Sequence, residues 1–586
     1  MRYNGADKQR TYSMWLSLAV LTVLSVQFGC RHKNASPAQG ASPPVIPTSN
    51  ATGSAYGISL EDVADKGGIN HVWKQQPRPM RNLEAFGCGC AFLDFDDDGW
   101  MDILLVASPH ARLYRNKGNG TFEEVTAAAG LDKITGDWKG VAVGDYDGDG
   151  RLDIVLTGYR RLALLRNVDG HKFDDVTTAA GLSPTNKNHW GSSAGFMDLD
   201  GSGKLTLVIL NYVIFGPKEP QYCEMMPGVK TGCPPITYKP EFAEMWENLG
   251  NGKFREITNT SGMKDTHGKA LVVAFADVDD DGKIDFYIGN DGLPAELMHN
   301  VGGLKFKNLG QQSGASTADT GHSIAAMGAD WADYDRDGRL DLAVSAFSDE
   351  PYSLLHNAGN MLFEHMEDKT GIAGATLNPL GFGAKWIDVD NDGWPDLMFT
   401  NGHVYDKVEQ VNPTMTFKQP LMLFHNEPDK YEAKSRQFVD LIPRMSGSVT
   451  KKMLGRGMAT GDFDNDGKMD VLVVDYEGSP LLLHNQSTGN AHWITFDIRS
   501  GGRNRFAYGA KLTSTSGGVT WTSIVSPASS YLSSSDPRVH FGLGDVKVLE
   551  KVTVRWPDGK SQTFENVAAD HIVRLTEGVM NPIVLH

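Results

Sequence analysis

An aspartate-rich loop recurs seven times along this chain, and no other feature restricts its fold as strongly. The pattern is apolar-x-Asp-x-Asp-x-Asp-Gly-x-x-Asp followed by an apolar run. It reads FLDFDDDGWMDILLV from Phe92, VGDYDGDGRLDIVLT from Val143, FMDLDGSGKLTLVIL from Phe196 and FADVDDDGKIDFYIG from Phe275. It continues as WADYDRDGRLDLAVS from Trp331, WIDVDNDGWPDLMFT from Trp386 and TGDFDNDGKMDVLVV from Thr460. Successive first aspartates lie 51, 53, 79, 56, 55 and 74 residues apart. A second signature follows each loop: an apolar stretch and an asparagine, usually with a glycine-containing turn and an aromatic after it. The asparagines are Asn116, Asn167, Asn248, Asn300, Asn357, Asn426 and Asn485. From first aspartate to asparagine the distance is 22 to 24 residues in five copies, 50 in the third and 38 in the sixth. The long periods are therefore insertions inside repeats three and six, and the count is seven.

Each repeat consists of short apolar, β-branched runs separated by glycine- and asparagine-rich turns, with no sustained helical period. Glycine is abundant throughout, at 65 of 586 residues. A unit of about 50 residues with four short strands describes one blade of a β-propeller. The predicted fold is all-β: a seven-bladed propeller over residues 57–490, then a small β-sandwich-like domain over 491–580. No F-x-x-V strand follows Asn485, whereas Leu60-Glu-Asp-Val63 matches FEEVTAAAGL and FDDVTTAAGL of the first two repeats. The Leu60 strand is expected to complete the seventh blade, because an unpaired edge is a liability.

Carboxylates at positions 1, 3, 5 and 9 of such a loop can converge on one cation, with the glycine at position 6 permitting the bend. An all-oxygen, carboxylate-rich set favours Ca2+, which accepts irregular geometry, over the stricter Mg2+. The candidate ligands are Asp94, Asp96, Asp98 and Asp102; Asp145, Asp147, Asp149 and Asp153; and Asp277, Asp279, Asp281 and Asp285. Four more groups are Asp333, Asp335, Asp337 and Asp341; Asp388, Asp390, Asp392 and Asp396; Asp462, Asp464, Asp466 and Asp470; and the incomplete Asp198 and Asp200. In that third loop Ser202 and Thr206 stand at positions 5 and 9, so six Ca2+ sites and a degenerate seventh are expected, with a structural role.

The formal net charge of −17 excludes the basic footprint of a nucleic-acid binder and simple adsorption to anionic membranes. Residues 1–30 have the charged start and short apolar run of an export signal, too short to span a bilayer comfortably. They resemble a bacterial lipoprotein signal, which implies lipidation of Cys30; Gln27 departs from the aliphatic residue that pattern prefers. Residues 31–56, rich in Pro, Ser, Ala, Gly and Asn, form a tether. The expected location is the bacterial cell envelope or surface, with the membrane met only through the lipid.

The repeats resemble the FG-GAP/VCBS repeats of integrin α-chain propellers and of many secreted bacterial proteins. GGRNRFAYGAKL (501–512), SSYLSSSDPRVHFGLG (529–544) and VRWPDGKSQTF (554–564) resemble the ASPIC/UnbV domain. The combination is similar to the cartilage acidic protein family and its bacterial relatives. The resemblance implies calcium binding, extracellular placement and recognition of proteins or glycans, with no established catalytic chemistry.

Cys223 and Cys233 lie in the third-repeat insertion, where a disulfide would staple a segment without its own core. Cys88 and Cys90 face the same side of a strand, as a strained disulfide or as two buried thiols. Gly191-Ser-Ser193-Ala-Gly195 matches a nucleophile elbow but runs into a blade rather than a helix, so a catalytic Ser193 is rejected. The 17 histidines read as scattered, although His189 and His322 precede loops and could reach the channel. Asn504, Arg505, Tyr531, Arg538, His540, Arg555 and Trp556 suit either ligand recognition or a bonded motif that defines the domain, and the second is favoured.

These features predict a monomeric, calcium-binding, non-enzymatic surface protein that recognises an extracellular protein or glycan through insertions at about 211–242 and 401–431. Removing either insertion is expected to abolish capture without lowering the melting temperature. The alternatives are a polysaccharide lyase or hydrolase with its site at the propeller axis, and an assembly scaffold for other exported proteins.

Overall fold

The computed structural model describes residues 55–183, 189–432 and 435–586; the export signal, Cys30 and nearly all of the tether lie outside the described residues. The described chain is all-β apart from single helical turns. Seven four-stranded antiparallel arrays follow one another. The first array comprises Cys90–Leu93, Asp102–Leu105, Arg112–Asn116 and Phe122–Glu124. In every repeat the aspartate loop is the hairpin between the first and second strands. The residue before the first aspartate pairs with position 9: Leu93 with Asp102, Gly144 with Asp153, Met197 with Thr206, and so on through Gly461 with Asp470.

The first strands of successive blades touch all the way round, and Gly455–Gly461 of blade 7 returns to Cys90–Leu93 of blade 1. The N-terminal strand Leu60–Asp62 pairs antiparallel with Leu481–Asn485, Leu60 opposite Asn485, as the outermost strand of blade 7. The ring therefore closes with one strand from the start of the propeller and three from its end.

The recurring asparagine explains how blades are held together. Each is buried and donates its side-chain Nδ2 to the carbonyl of the position-2 residue in the preceding blade's loop. Asn167 reaches Phe95 at 2.7 Å, Asn248 reaches Tyr146 at 2.7 Å, and Asn300 reaches Leu199 at 2.8 Å. Asn357, Asn426 and Asn485 reach Val278, Tyr334 and Val389 at 2.9, 3.0 and 2.9 Å. Asn116 closes the circle on Phe463 of blade 7 at 2.8 Å. A buried carbonyl left unpaired would cost about 1–3 kcal/mol, so the same side chain is needed at every junction.

The C-terminal domain is two packed four-stranded sheets. One holds Val539–Gly544, His492–Arg499, His571–Thr576 and Ile583–Val584; the other holds Val519–Ile524, Lys511–Ser516, Val548–Arg555 and Ser561–Ala568. Ile494, Phe496, Leu512, Val552, Phe564 and Val573 are buried in it. Between them, residues 527–537 leave this domain and enter the propeller axis. Ala528–Ser529 and Ser533–Ser534 form a small hairpin, and Ser534 pairs parallel with Ala91 of blade 1. Val141 N–H donates to the Leu532 carbonyl at 3.1 Å, and Ser530 N–H to the Ala329 carbonyl at 2.7 Å. Lys385 Nζ donates to Ser529 Oγ at 2.8 Å, and Thr460 N–H to Ser535 Oγ at 3.2 Å. Glycines make the room: a Cβ on Gly89 would fall on the Leu532 carbonyl, and one on Gly457 would sit 2.7 Å from Ser533 Oγ. The channel is thus filled by the protein's own chain. Among the described residues no helix is long and apolar enough to cross a membrane.

Candidate functional site

The loops owe their shape to two residues in left-handed backbone. Position 6 is glycine in all seven, with φ between 74° and 93°. Position 4 is also left-handed throughout: Asp97, Gly148, Gly201, Asp280, Arg336, Asn391 and Asn465. Glycine, asparagine and aspartate tolerate this region, which accounts for six of the seven residue types. Arg336 is the exception, and its side chain is engaged elsewhere: it donates to the Gly393 carbonyl at 2.8 Å and lies over the Trp394 ring at 3.8 Å.

This backbone turns each carboxylate to a separate task. The position-6 N–H donates to Oδ2 of position 1 in every loop, for instance Gly99 to Asp94 at 3.0 Å and Gly338 to Asp333 at 2.9 Å. Position 5 accepts the N–H of position 7, as Asp337 does from Arg339 at 2.9 Å. Position 9 is buried and bonded to backbone at both oxygens: Asp102 accepts from Asn116 N–H at 2.7 Å and Phe95 N–H at 3.0 Å. The four-aspartate loops repeat that pair of bonds, so position 9 ties each loop to the strand of the latch asparagine.

What remains unbonded points to a cation. Buried Oδ1 atoms of Asp96, Asp198, Asp277, Asp388 and Asp464 have no hydrogen-bond partner among the described residues. Burial, reinforced by the neighbouring carboxylates, pushes Asp94, Asp145, Asp198 and Asp462 up to about 7 and Asp333 to about 8. Carboxylates crowded this way hold their charges together only with a positive partner. Oxygens of Asp94, Asp96 and Asp102 lie within 4.8 Å of one another and can hold a metal ion. The residues therefore fit a hard divalent cation. In the third loop Thr206 replaces the position-9 carboxylate, and only Asp198 and Asp200 remain.

The histidines are not scattered. His299, His356, His425 and His484 each stand immediately before the latch asparagine in blades 4 to 7, and each reaches its own loop. His356 Nδ1 lies 3.1 Å from Asp341 and 3.3 Å from Asp335; His425 Nε2 lies 3.2 Å from Asp390; His484 Nε2 lies 3.0 Å from Asp464. Blades 1 and 2 carry arginine there: Arg115 meets Asp96 at 2.5 Å and Arg166 meets Asp147 at 2.5 Å. Blade 3 has Glu247. Aligning the repeats on the asparagine rather than on the aspartates would have exposed this series.

The loop end of the propeller faces the C-terminal domain. Arg555 is ion-paired to Asp277 and, at 2.8 Å, to Asp280, while Lys511 meets Asp280 at 3.0 Å. Arg538 donates to the Asp462 carbonyl and Asn465 Oδ1, both at 2.8 Å, and pairs with Asp536 at 2.6 Å. His540 Nε2 lies 2.8 Å from Asn391 Oδ1. Asn504 brackets the Tyr508 backbone, Trp556 is buried, and Tyr531 runs along the axis to donate to the Phe86 carbonyl at 2.9 Å. Apart from exposed Arg505, the polar-aromatic set is therefore engaged inside the molecule, most of it across the junction between domain and propeller.

The opposite end carries both insertions, since each lies between the second and third strands of its blade. Cys223 and Cys233 form a disulfide there. Tyr212, Phe215 and Tyr238 pack with Trp190 and Phe86 into an aromatic cluster, so the third-repeat insertion is part of the core as well as the surface. Tyr222, Met225, Met226, Ile236 and Phe242 are exposed, Ile236 by 86%.

The remaining sequence candidates have structural partners. Ser193 lies within strand Gly191–Met197, donates to the Leu271 carbonyl at 2.7 Å and accepts from Leu532 N–H at 3.2 Å, which seats the axial hairpin. Cys88 and Cys90 are free, buried thiols, and burial pushes Cys90 up to about 12. His189 lies between Glu241 and Glu244 at 3.0 and 2.9 Å, and His322 is exposed.

Comparison with known proteins finds two matching families and related proteins. The FG-GAP-like repeat matches residues 94–156, 145–209, 277–344 and 333–399, and the ASPIC and UnbV family matches residues 500–582. Cartilage acidic protein 1 of Mus musculus is 25% identical over 526 residues, covering 85% of this chain and 74% of that protein. The Homo sapiens protein of the same name is 24% identical over 528 residues, covering 85% and 72%. Among solved structures, BBS1N in complex with ARL6DN aligns over 72% of this chain and 98% of its own, at 8% identity and a TM-score of 0.38.

Proposed function

Taking the chain as FG-GAP repeats completed by an ASPIC and UnbV domain, homologous over most of its length to cartilage acidic protein 1, we propose that it is an exported, calcium-binding recognition protein. It captures an extracellular protein or glycan through the insertion end of its propeller and has no catalytic chemistry of its own. Six loops hold Ca2+ through positions 1, 3, 5 and 9, and position 9 also fixes the hairpin. The ion supplies the positive charge that lets these carboxylates stay ionised together, which makes each blade's stability depend on it. A lipid on Cys30 would keep the monomer at the bacterial envelope.

One observation carries the choice of surface. Among the described residues, the protein's own C-terminal domain occupies the loop end and its hairpin enters the axis, whereas the insertion end is not covered by another domain. Exposed Tyr222, Met225, Met226, Ile236 and Phe242 all belong to the third-repeat insertion there, and such a concentration of exposed apolar side chains on one segment supports an interaction surface. Axial catalysis finds less support: Lys385, in the channel, is paired with Asp330 at 2.8 Å and bonded to Ser529.

The test replaces Met226, Ile236 and Phe242 by serine together and compares capture of extracellular proteins and glycans with that of the parent chain. Loss of capture with an unchanged melting temperature is expected. Undiminished capture, or release of reducing ends from a polysaccharide, would contradict the reading. Deleting the whole insertion is a poorer test, because Tyr212, Phe215 and Tyr238 belong to the core and their removal should lower the melting temperature.

A further inference from the structure

At the insertion end the axis opens into a small cavity of about 50 Å³. Its walls include Phe86, Tyr212, Phe382, Tyr405 and, at its base, Tyr531 from the axial hairpin. The rings enclose it closely: Phe86 to Tyr212 is 5.1 Å between centroids, Phe86 to Tyr531 5.9 Å, and Phe382 to Tyr531 4.8 Å. Asp291 is the only charged side chain in the lining. It is more than nine-tenths buried, and the Tyr212 hydroxyl donates to its Oδ2 at 2.5 Å. No hydrogen bond to its Oδ1 is present among the described residues, and Asp291 lines the cavity.

The nearby cations do not serve that oxygen. Lys269 makes no ion pair with Asp291 among the described residues. The Arg456 guanidinium lies over the Phe382 ring at 3.9 Å and is bonded to the carbonyls of Ala85, Gly402 and Gly455. An aromatic box with one uncommitted carboxylate attracts a cation that carries its own apolar surface. A guanidinium or hydrated metal ion needs several polar partners that these walls lack.

We propose that this cavity binds an alkylammonium head group, methylated or primary, inserted between the rings toward Asp291 Oδ1. The volume suits a head group rather than a whole metabolite. Pro235 lines the cavity and exposed Ile236 follows it, so a lysine side chain on a protein ligand and a free quaternary amine are both admissible sources. The inference takes from the recognition reading only the face of the propeller it concerns.

The test uses the whole chain, with calorimetry and ligand-observed NMR on choline, on its neutral isostere in which tert-butyl replaces trimethylammonium, and on lysine and trimethyllysine peptides. Choline should bind saturably, and the isostere about tenfold more weakly or worse. Asp291→Asn should abolish that discrimination, and Tyr405→Leu, at the half-buried rim, should weaken choline several-fold with an unchanged melting temperature. Tighter binding of a peptide than of choline would identify the side chain as the source; the reverse would identify a free amine. Equal binding of choline and its isostere, or no saturable binding of any ammonium probe, would overturn the proposal. Choline binding without capture of any macromolecule would leave this site standing and remove the recognition reading.

Discussion

Asn116 of the first blade donates its side-chain amide to the Phe463 carbonyl of the seventh at 2.8 Å, so one hydrogen bond of a seven-fold series closes the ring. The donor and acceptor are 347 residues apart, yet the contact repeats the one that joins every neighbouring pair of blades. Asn116→Ala should leave the Phe463 and Met101 carbonyls without their partner and lower stability by about 1–3 kcal/mol, read by denaturant unfolding. Asn300→Ala should cost a similar amount within the ring. A change below about 0.5 kcal/mol in both would show that the series is incidental.

The axial hairpin makes a second, sharper demand. Gly89→Ala would drive a methyl group into the Leu532 carbonyl, where backbone lies on both sides, whereas Gly501→Ala meets nothing within 4 Å. The first should cost about 3 kcal/mol or more and loosen the C-terminal domain, seen as faster limited proteolysis after residue 490; the second should be neutral. Equal behaviour of the two variants would mean that the hairpin is not seated in the channel in solution.

Asp291 gives a pH dependence with a definite sign. Burial pushes its carboxyl up from 3.8 to about 6, with Glu350 adding to the rise and Tyr212 and Lys269 opposing it. Because the folded value lies above the unfolded one, its protonation favours the folded state below about 3.8, and that contribution is lost as pH rises to about 6. Asp291→Asn should therefore gain on the parent chain between these limits, by up to about 3 kcal/mol, and run parallel to it above them. A stability difference independent of pH from 3.5 to about 7 would contradict the assigned environment.

Metal content separates the loops. Asp333→Asn should lower the number of Ca2+ ions retained after gel filtration by one, measured by mass spectrometry of the metals. Asp198→Asn should leave the number unchanged, because Ser202 and Thr206 already deprive that loop of two carboxylates. Loss of an ion in both variants would restore the third loop to the set.

The blade count, the strand order and the Leu60 closure could be read from the sequence because each depends on a local pattern repeated at one spacing. Blade 7 is legible because Leu60-Glu-Asp-Val63 shares its pattern with strands already counted. The asparagine was visible as a signature but not as a latch, since its acceptor, a backbone carbonyl in the neighbouring blade, leaves no mark on side-chain identity. His299, His356, His425 and His484 form a series only in the repeat register, which no single histidine displays. The axial hairpin was hidden for another reason: SSYLSSSDP looks like any small-residue loop until the facing glycines, Gly89 and Gly457, are known to line a channel. Ser193 lies within a blade strand, and the reason for its serine, a bond to Leu532, becomes visible only with the hairpin.

The most direct test of the account is thermal unfolding of the whole chain, first in millimolar calcium and then in excess chelator. Each site at about 100 times its dissociation constant contributes about 2.7 kcal/mol, so several sites acting together should move the melting temperature by many degrees. A large drop on chelation, reversed by added Ca2+, is the predicted result. An unchanged melt would contradict calcium as the charge that holds the six four-aspartate loops, while leaving the propeller itself in place.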